Sequence, residues 1–217
     1  MNDIIQTIAV YAIPVLFAIT LHEAAHAYAA KYFGDNTAYA QGRMTLDPFK
    51  HIDLFGTIVL PILTFVTTGF VLGSAKPVPV EFSRLRNPKK QMAFVALAGP
   101  GANLFMALLW MLFGVLLAAF GSGVEFFYQM VKAGITVNLL FFAFNLFPLP
   151  PLDGGRVLTS MLPDRLAYKF ARIEPYGFFI LLGLLMLGVL KYWVTPLMML
   201  ANTLLRLLIS PLTFLLT

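Results

Sequence analysis

From Ile4 to Ala30 the chain is almost wholly apolar, yet three ionisable side chains, His22, Glu23 and His26, fall within five residues of that run. In a bilayer each such group costs on the order of 2.5 to 3.5 kcal/mol, so the three together need a partner that offsets the cost. Read as a helix, the run sets His22 and His26 four residues apart, about 40° around the axis and roughly 6 Å along it. Both imidazoles leave one face and can share one Zn²⁺ as neutral ligands. Glu23, beside the first histidine, is close enough to handle protons on a water at that metal. Paired histidines as ordinary core residues, the bland alternative, would leave the insertion cost without an offset.

Composition decides whether this run is a bilayer span. Of 217 residues 59% are hydrophobic and only 12% charged, with a mean hydropathy of +0.83. The charges cluster between apolar runs, as several spans of about 20 residues would produce. The net charge of +5 therefore reads as topology. No basic stripe with interleaved aromatics is present, so no nucleic-acid partner is expected. The absence of cysteine excludes disulfides, thiolate metal sites and a Cys nucleophile. Met1 to Ile4 lack the positive region of a secretory signal, so the first segment is expected to stay attached.

The fold class expected is an all-α polytopic membrane protein of about five to six transmembrane helices. Residues 1–156 form the core, with spans at about 4–33, 91–120 and 131–147. A small membrane-associated β or re-entrant element occupies 37–80, between the first and second core helices. Within it Leu54 to Gly73 is apolar but interrupted by Gly56, Pro61 and Gly69, and reads as re-entrant or as a kinked span. Lys76-Pro77-Val78-Pro79-Val80 is kept extended by its prolines; it could pair with substrate or simply connect. Residues 157–217 add further membrane helices, Tyr176 to Leu190 as a fifth span and Val194 to Thr217 as a sixth span or a surface helix.

A second signal closes the core, the run Asn145-Leu146-Phe147-Pro148-Leu149-Pro150-Pro151-Leu152-Asp153-Gly154-Gly155-Arg156. Its prolines cannot continue a regular helix. Unwound backbone at membrane depth is tolerated only where protein buries it or it lines a polar cavity. Asp153, followed by two glycines, becomes a candidate third ligand. Alone it would read as a turn residue or helix cap; with the two histidines it completes a His₂-carboxylate set. In the third segment Gly99-Pro100-Gly101-Ala102-Asn103 allows close helix approach and carries an amide to membrane depth.

A shared metal requires the end of the first segment and the end of 131–147 to face the same side. Two crossings between them satisfy this, and three would not, which favours the re-entrant reading of 54–73. Arg43, Lys50, Lys76, Arg84, Arg86, Lys89, Lys90, Arg156, Arg165, Lys169 and Arg172 then share one side, cytosolic by the positive-inside tendency. The site is expected nearer the cytosolic face of a prokaryotic cytoplasmic membrane.

His22-Glu23-Ala24-Ala25-His26, Gly99 to Asn103 and Asn145 to Gly154, in this order and these settings, resemble the site-2 protease family of intramembrane zinc metalloproteases. The likeness covers the chain to about Arg156 and is to the short prokaryotic branch, without a PDZ or CBS domain. It implies one zinc per chain on His22, His26 and Asp153, with Glu23 as general base and then acid. It further implies that Asn145 contacts substrate backbone or oxyanion, and it matches Asn103 to a motif position grouped with that role. Partners implied are single-span membrane-protein substrates and the bilayer. A metal or proton-coupled transporter built on the same intramembrane His, Asp and Asn residues is the alternative.

Overall fold

The computed structural model describes residues 2–59, 75–121 and 123–216. Eight α-helices follow one another among these residues: α1 (Asn2–Tyr32), α2 (Thr37–Ala40), α3 (Pro88–Ala119), α4 (Glu125–Asn145), α5 (Asp153–Met161), α6 (Asp164–Ala171), α7 (Glu174–Met186) and α8 (Lys191–Leu216). No strand occurs among the described residues. Four helices, α1, α3, α4 and α8, are long and apolar enough to cross a membrane, and the protein is a multi-pass membrane protein.

The expected five to six spans differ from these four in two places. Residues 60–74, most of the Leu54–Gly73 run, lie outside the described residues. The Tyr176–Leu190 segment forms α7, whose 13 residues reach only about 20 Å, short of a hydrocarbon core of about 30 Å. It stops because Gly188 turns left-handed, with φ of +68°. The final segment, left open between span and surface helix, is the long helix α8. Helix α4 begins at Glu125, ahead of the expected 131, so that Gln129 joins Lys132 on the helix.

The bundle is built around α3, which packs against α1, α4 and α5, while α8 covers α4 and α3. Ala107 and Met111 of α3, Leu139 of α4, and Ala201, Leu205 and Ile209 of α8 form the buried seam. Small residues let these helices close: a Cβ on Gly134 would strike the Trp110 ring. Such close approach is the main source of affinity between helices where lipid removes the hydrophobic drive.

Helix α1 ends at Gly34, whose φ of +114° suits only glycine. The main-chain N–H of Arg86 donates to the Phe33 carbonyl at 3.1 Å, and its guanidinium caps Phe33 and Tyr32. The chain thus leaves α1 and enters α3 at the same end of the bundle.

Where a β element was expected, residues 75–81, kept extended by Pro77 and Pro79, form no strand and pair with none among the described residues. Their partners are single groups, which is why no ladder forms. The Lys76 N–H donates to the His51 carbonyl at 2.9 Å, the Val78 N–H to Glu23, and the Glu81 N–H to Asp35 at 2.7 Å. Arg43 donates to the Lys76 carbonyl at 2.9 Å. Asp35, buried at the end of α1, also accepts from the Thr37 amide and hydroxyl and so clamps the extended segment to the helix.

Candidate metal centre

His22 and His26 lie four residues apart on α1 and both are buried. Their Nε2 atoms sit 3.1 Å from one another. Asp153, the first residue of α5, places Oδ2 at 3.2 Å from His22 Nε2 and 3.4 Å from His26 Nε2. The proline-rich turn delivers it there. Leu146 ends α4, and Leu149, Pro150 and Pro151 carry the chain round to α5. A Cβ on Gly154 would meet the Leu146 and Phe147 carbonyls, and one on Gly155 the Leu149–Pro150 backbone. The two glycines let α5 fold back onto its own turn. Gly177 of α7 meets Pro150 in the same way from another side, and Trp193 of α8 donates to the Ala143 carbonyl at 3.1 Å.

The hydrogen bonds behind the histidines fix which nitrogen carries the proton. His26 Nδ1 lies 2.7 Å from the Val95 carbonyl, which can only accept, so Nδ1 is protonated and Nε2 presents a lone pair. For His22 the chain of inference runs through two buried amides. Asn138 Nδ2 donates to the Gly134 carbonyl at 2.8 Å, which turns its Oδ1 towards Asn103. Asn103 Nδ2 donates to that oxygen at 3.2 Å and to the Ala18 carbonyl at 3.0 Å. Its Oδ1 therefore faces His22 Nδ1, at 2.7 Å, and accepts the ring proton. Both Nε2 atoms are thus bare.

Two lone pairs and a carboxylate oxygen converge with no proton between them, and Asp153 Oδ2 is buried without a hydrogen-bond partner. That arrangement calls for a cation. Ligands at about 2.0 to 2.1 Å around tetrahedral zinc lie about 3.3 Å from one another, close to the three separations here, 3.1, 3.2 and 3.4 Å. The residues present fit the metal, and they leave a fourth position open. Gly99 of α3 faces this centre, and a Cβ there would collide with both imidazoles.

Glu23 stands beside the centre, half-buried, its Oε2 accepting from the Val78 N–H at 2.8 Å. Asn145 is half-buried at the end of α4 and donates one amide proton to the Phe141 carbonyl at 3.0 Å. Asn103 differs from the expectation of a substrate or oxyanion contact. It is fully buried behind His22 and both of its amide protons are engaged, so it has no donor left for substrate. Sequence reasoning missed the roles of Asn138, an isolated polar residue in an apolar run whose partner Asn103 is remote in sequence, and of Asp35, which reads as a turn residue but also holds the distant Glu81 N–H.

The fold and the centre define a membrane-embedded metalloenzyme of His, His and Asp type. The comparisons with known proteins agree. The model of peptidase family M50 matches residues 122–188, the stretch holding Asn145 and Asp153. YwhC of Bacillus subtilis, named as a candidate zinc metalloprotease, is 38% identical over 86% of this chain and 84% of its own. Rip2 of Mycolicibacterium smegmatis and Rip2 of Mycobacterium tuberculosis, named likewise, are 31% and 30% identical over 82% of this chain and 67% of theirs. No solved structure matches significantly. The chain belongs to peptidase family M50, the site-2 protease type, and is a zinc metalloprotease. A transporter built on the same cluster is set aside by that membership.

Proposed function

We propose that the protein is an intramembrane endopeptidase that cleaves the transmembrane segments of single-span membrane proteins. The observation that carries this reading is the convergence of two bare Nε2 atoms from a bilayer-spanning helix and an orphaned carboxylate oxygen from α5, with the Glu23 carboxylate, held by the Val78 N–H, alongside. His22, His26 and Asp153 would hold the zinc. Bound there, zinc supplies Lewis-acid polarisation of a peptide carbonyl and makes a water acidic enough to attack near neutral pH.

The remaining work falls to the chain. Glu23 accepts the proton of the attacking water and returns it to the leaving amine, the role a carboxylate at hydrogen-bond reach performs. Asn145 has a second amide proton besides the one donated to Phe141, and that proton stabilises the developing oxyanion, an effect that in well-studied sites is worth about 10² to 10³ in rate. A helical substrate bond is shielded from attack, so the substrate unwinds locally at the centre.

The basic residues that flank the spans, including Lys89, Arg86 and Arg156, gather at the end where α1 stops and α3 starts. By the positive-inside tendency that end is cytosolic, which puts the site nearer the cytosolic side of a prokaryotic cell membrane. The test is purified protein with a panel of single-span substrates, comparing wild type, Glu23→Gln and chelator-treated samples. Cleavage by wild type alone, with zinc still bound by Glu23→Gln, is expected; equal product in all three overturns the reading.

A further inference from the structure

Away from the metal centre, α1 and α4 part to leave a groove of about 400 Å³, within the range of about 300 to 1,000 Å³ that ligand pockets occupy. Its floor is Val10 and Ala133, both buried. Its walls are polar, Gln6 and Tyr11 from α1 and Gln129, Lys132 and Thr136 from α4. On α4 these three fall at i, i+3 and i+7, one stripe of a helix that otherwise crosses the membrane. Gln6 and Gln129 are joined by a hydrogen bond of 3.2 Å. Lys132 is exposed towards the groove, and among the described residues no carboxylate pairs with it. An ionisable residue within a span is costly and marks a binding function by default.

We propose that this groove is a docking site for the substrate's transmembrane segment, and that Lys132 receives an acidic side chain of that segment. The inference rests on the intramembrane endopeptidase reading and gives its substrate a recognisable chemistry. The groove and the metal centre are built on the same two helices. From Val10 to His22 is 12 residues of α1 and from Lys132 to Asn145 is 13 residues of α4, which is about 18 to 20 Å on either helix. A substrate helix lying along α1 and α4 therefore reaches the centre with its acidic residue about 9 to 13 positions from the scissile bond, the lower figure applying when a few residues at the bond are extended. A carboxylate at Lys132 is a charge-assisted contact in low dielectric, surrounded by amide and hydroxyl groups that satisfy its remaining lone pairs.

The experiment uses the full chain in proteoliposomes and single-span substrates in which one Asp is walked through positions 6 to 16 from the mapped cleavage site. Asp at about 9 to 13 is expected to lower KM by about tenfold against Leu, with kcat little changed. Lys132→Met and, on the other wall, Gln6→Leu lose that preference, and Lys132→Glu prefers a Lys-bearing substrate instead. A photo-crosslinker at position 136 in the Glu23→Gln background reads docking without cleavage and should capture the Asp-bearing segment. Cleavage that ignores both Asp position and Lys132, or a crosslinker that captures lipid alone, overturns the proposal. Crosslinking with the expected Asp dependence but no cleavage by wild type leaves the docking site standing and removes the peptidase reading.

Discussion

The Val78 main-chain N–H donates to Oε2 of Glu23 at 2.8 Å, across 55 residues of sequence. The contact fixes one oxygen of the carboxylate and leaves the other as the one that can serve as base. Val78→Pro removes the donor while keeping an extended backbone between Pro77 and Pro79, and Val78→Ala keeps it. A hydrogen bond to a charged group contributes about 1.5 to 3 kcal/mol. The proline variant should lose at least about tenfold in kcat with zinc content unchanged, and the alanine variant should lose far less. Equal activity of the two, measured on one substrate, would remove the positioning role.

Asn138 hydrogen-bonds to none of the three zinc ligands, yet through Asn103 it fixes the His22 tautomer. Partners of this kind commonly govern metal affinity by about 10- to 100-fold. Asn138→Leu should weaken zinc binding by that range in a chelator competition, with the helical content intact. Undiminished affinity would reduce the amide pair to packing.

At Gly99 the centre has no room for a side chain, since a Cβ would overlap both imidazoles. Gly99→Ala is expected to lower zinc stoichiometry to a small fraction of one, whereas Gly101→Ala, where a Cβ meets nothing within 4 Å, should bind normally. Metal analysis of the two purified variants decides it.

Asp35 supplies a pH dependence. Burial pushes its carboxyl up, but hydrogen bonds from the Thr37 hydroxyl and amide and from the Glu81 amide outweigh that and hold it below the ordinary value of 3.8. Because the folded value lies below the unfolded one, the stabilisation is fully present above about pH 4 and fades as pH falls through the folded value. Asp35→Asn should cost about 2 kcal/mol at neutral pH, with the gap from wild type narrowing in acid. Thermal denaturation in detergent at pH 7 and near pH 3 reads both. A gap that widens in acid would contradict the sign.

The centre was legible because its two strongest signals are local. Helical spacing alone sets His22 and His26 on one face, and Pro148 to Gly155 cannot be anything but a turn followed by a close contact. What was not legible depended on neighbours. Asn138 sits in an apolar run with nothing in the sequence to connect it to Asn103, and Asn103 looked like a substrate contact until its amide was seen to face backwards. Helix α7 fell short of a span because Gly188 adopts a left-handed turn, which hydropathy does not register. The span expected from 131 begins earlier, at Glu125, because the polar first turns of α4 follow directly on the left-handed Gly121, where φ is +64°, and hydropathy registers only the apolar part.

Pro77 and Pro79 give the extended segment two unequal margins. Main-chain N–H groups along such a run alternate in direction, and those of Lys76 and Val78 are already taken by His51 and Glu23. Pro77 and Pro79, on either side of Val78, carry no N–H, and that of Glu81 is held by Asp35, so the opposite margin has carbonyls and no N–H to offer. A passing peptide can therefore donate to that margin but receives nothing back, and no continuous ladder can grow from it. An extended segment with free N–H groups on both margins could extend into a sheet with another chain; here two missing hydrogens stop that on one of them.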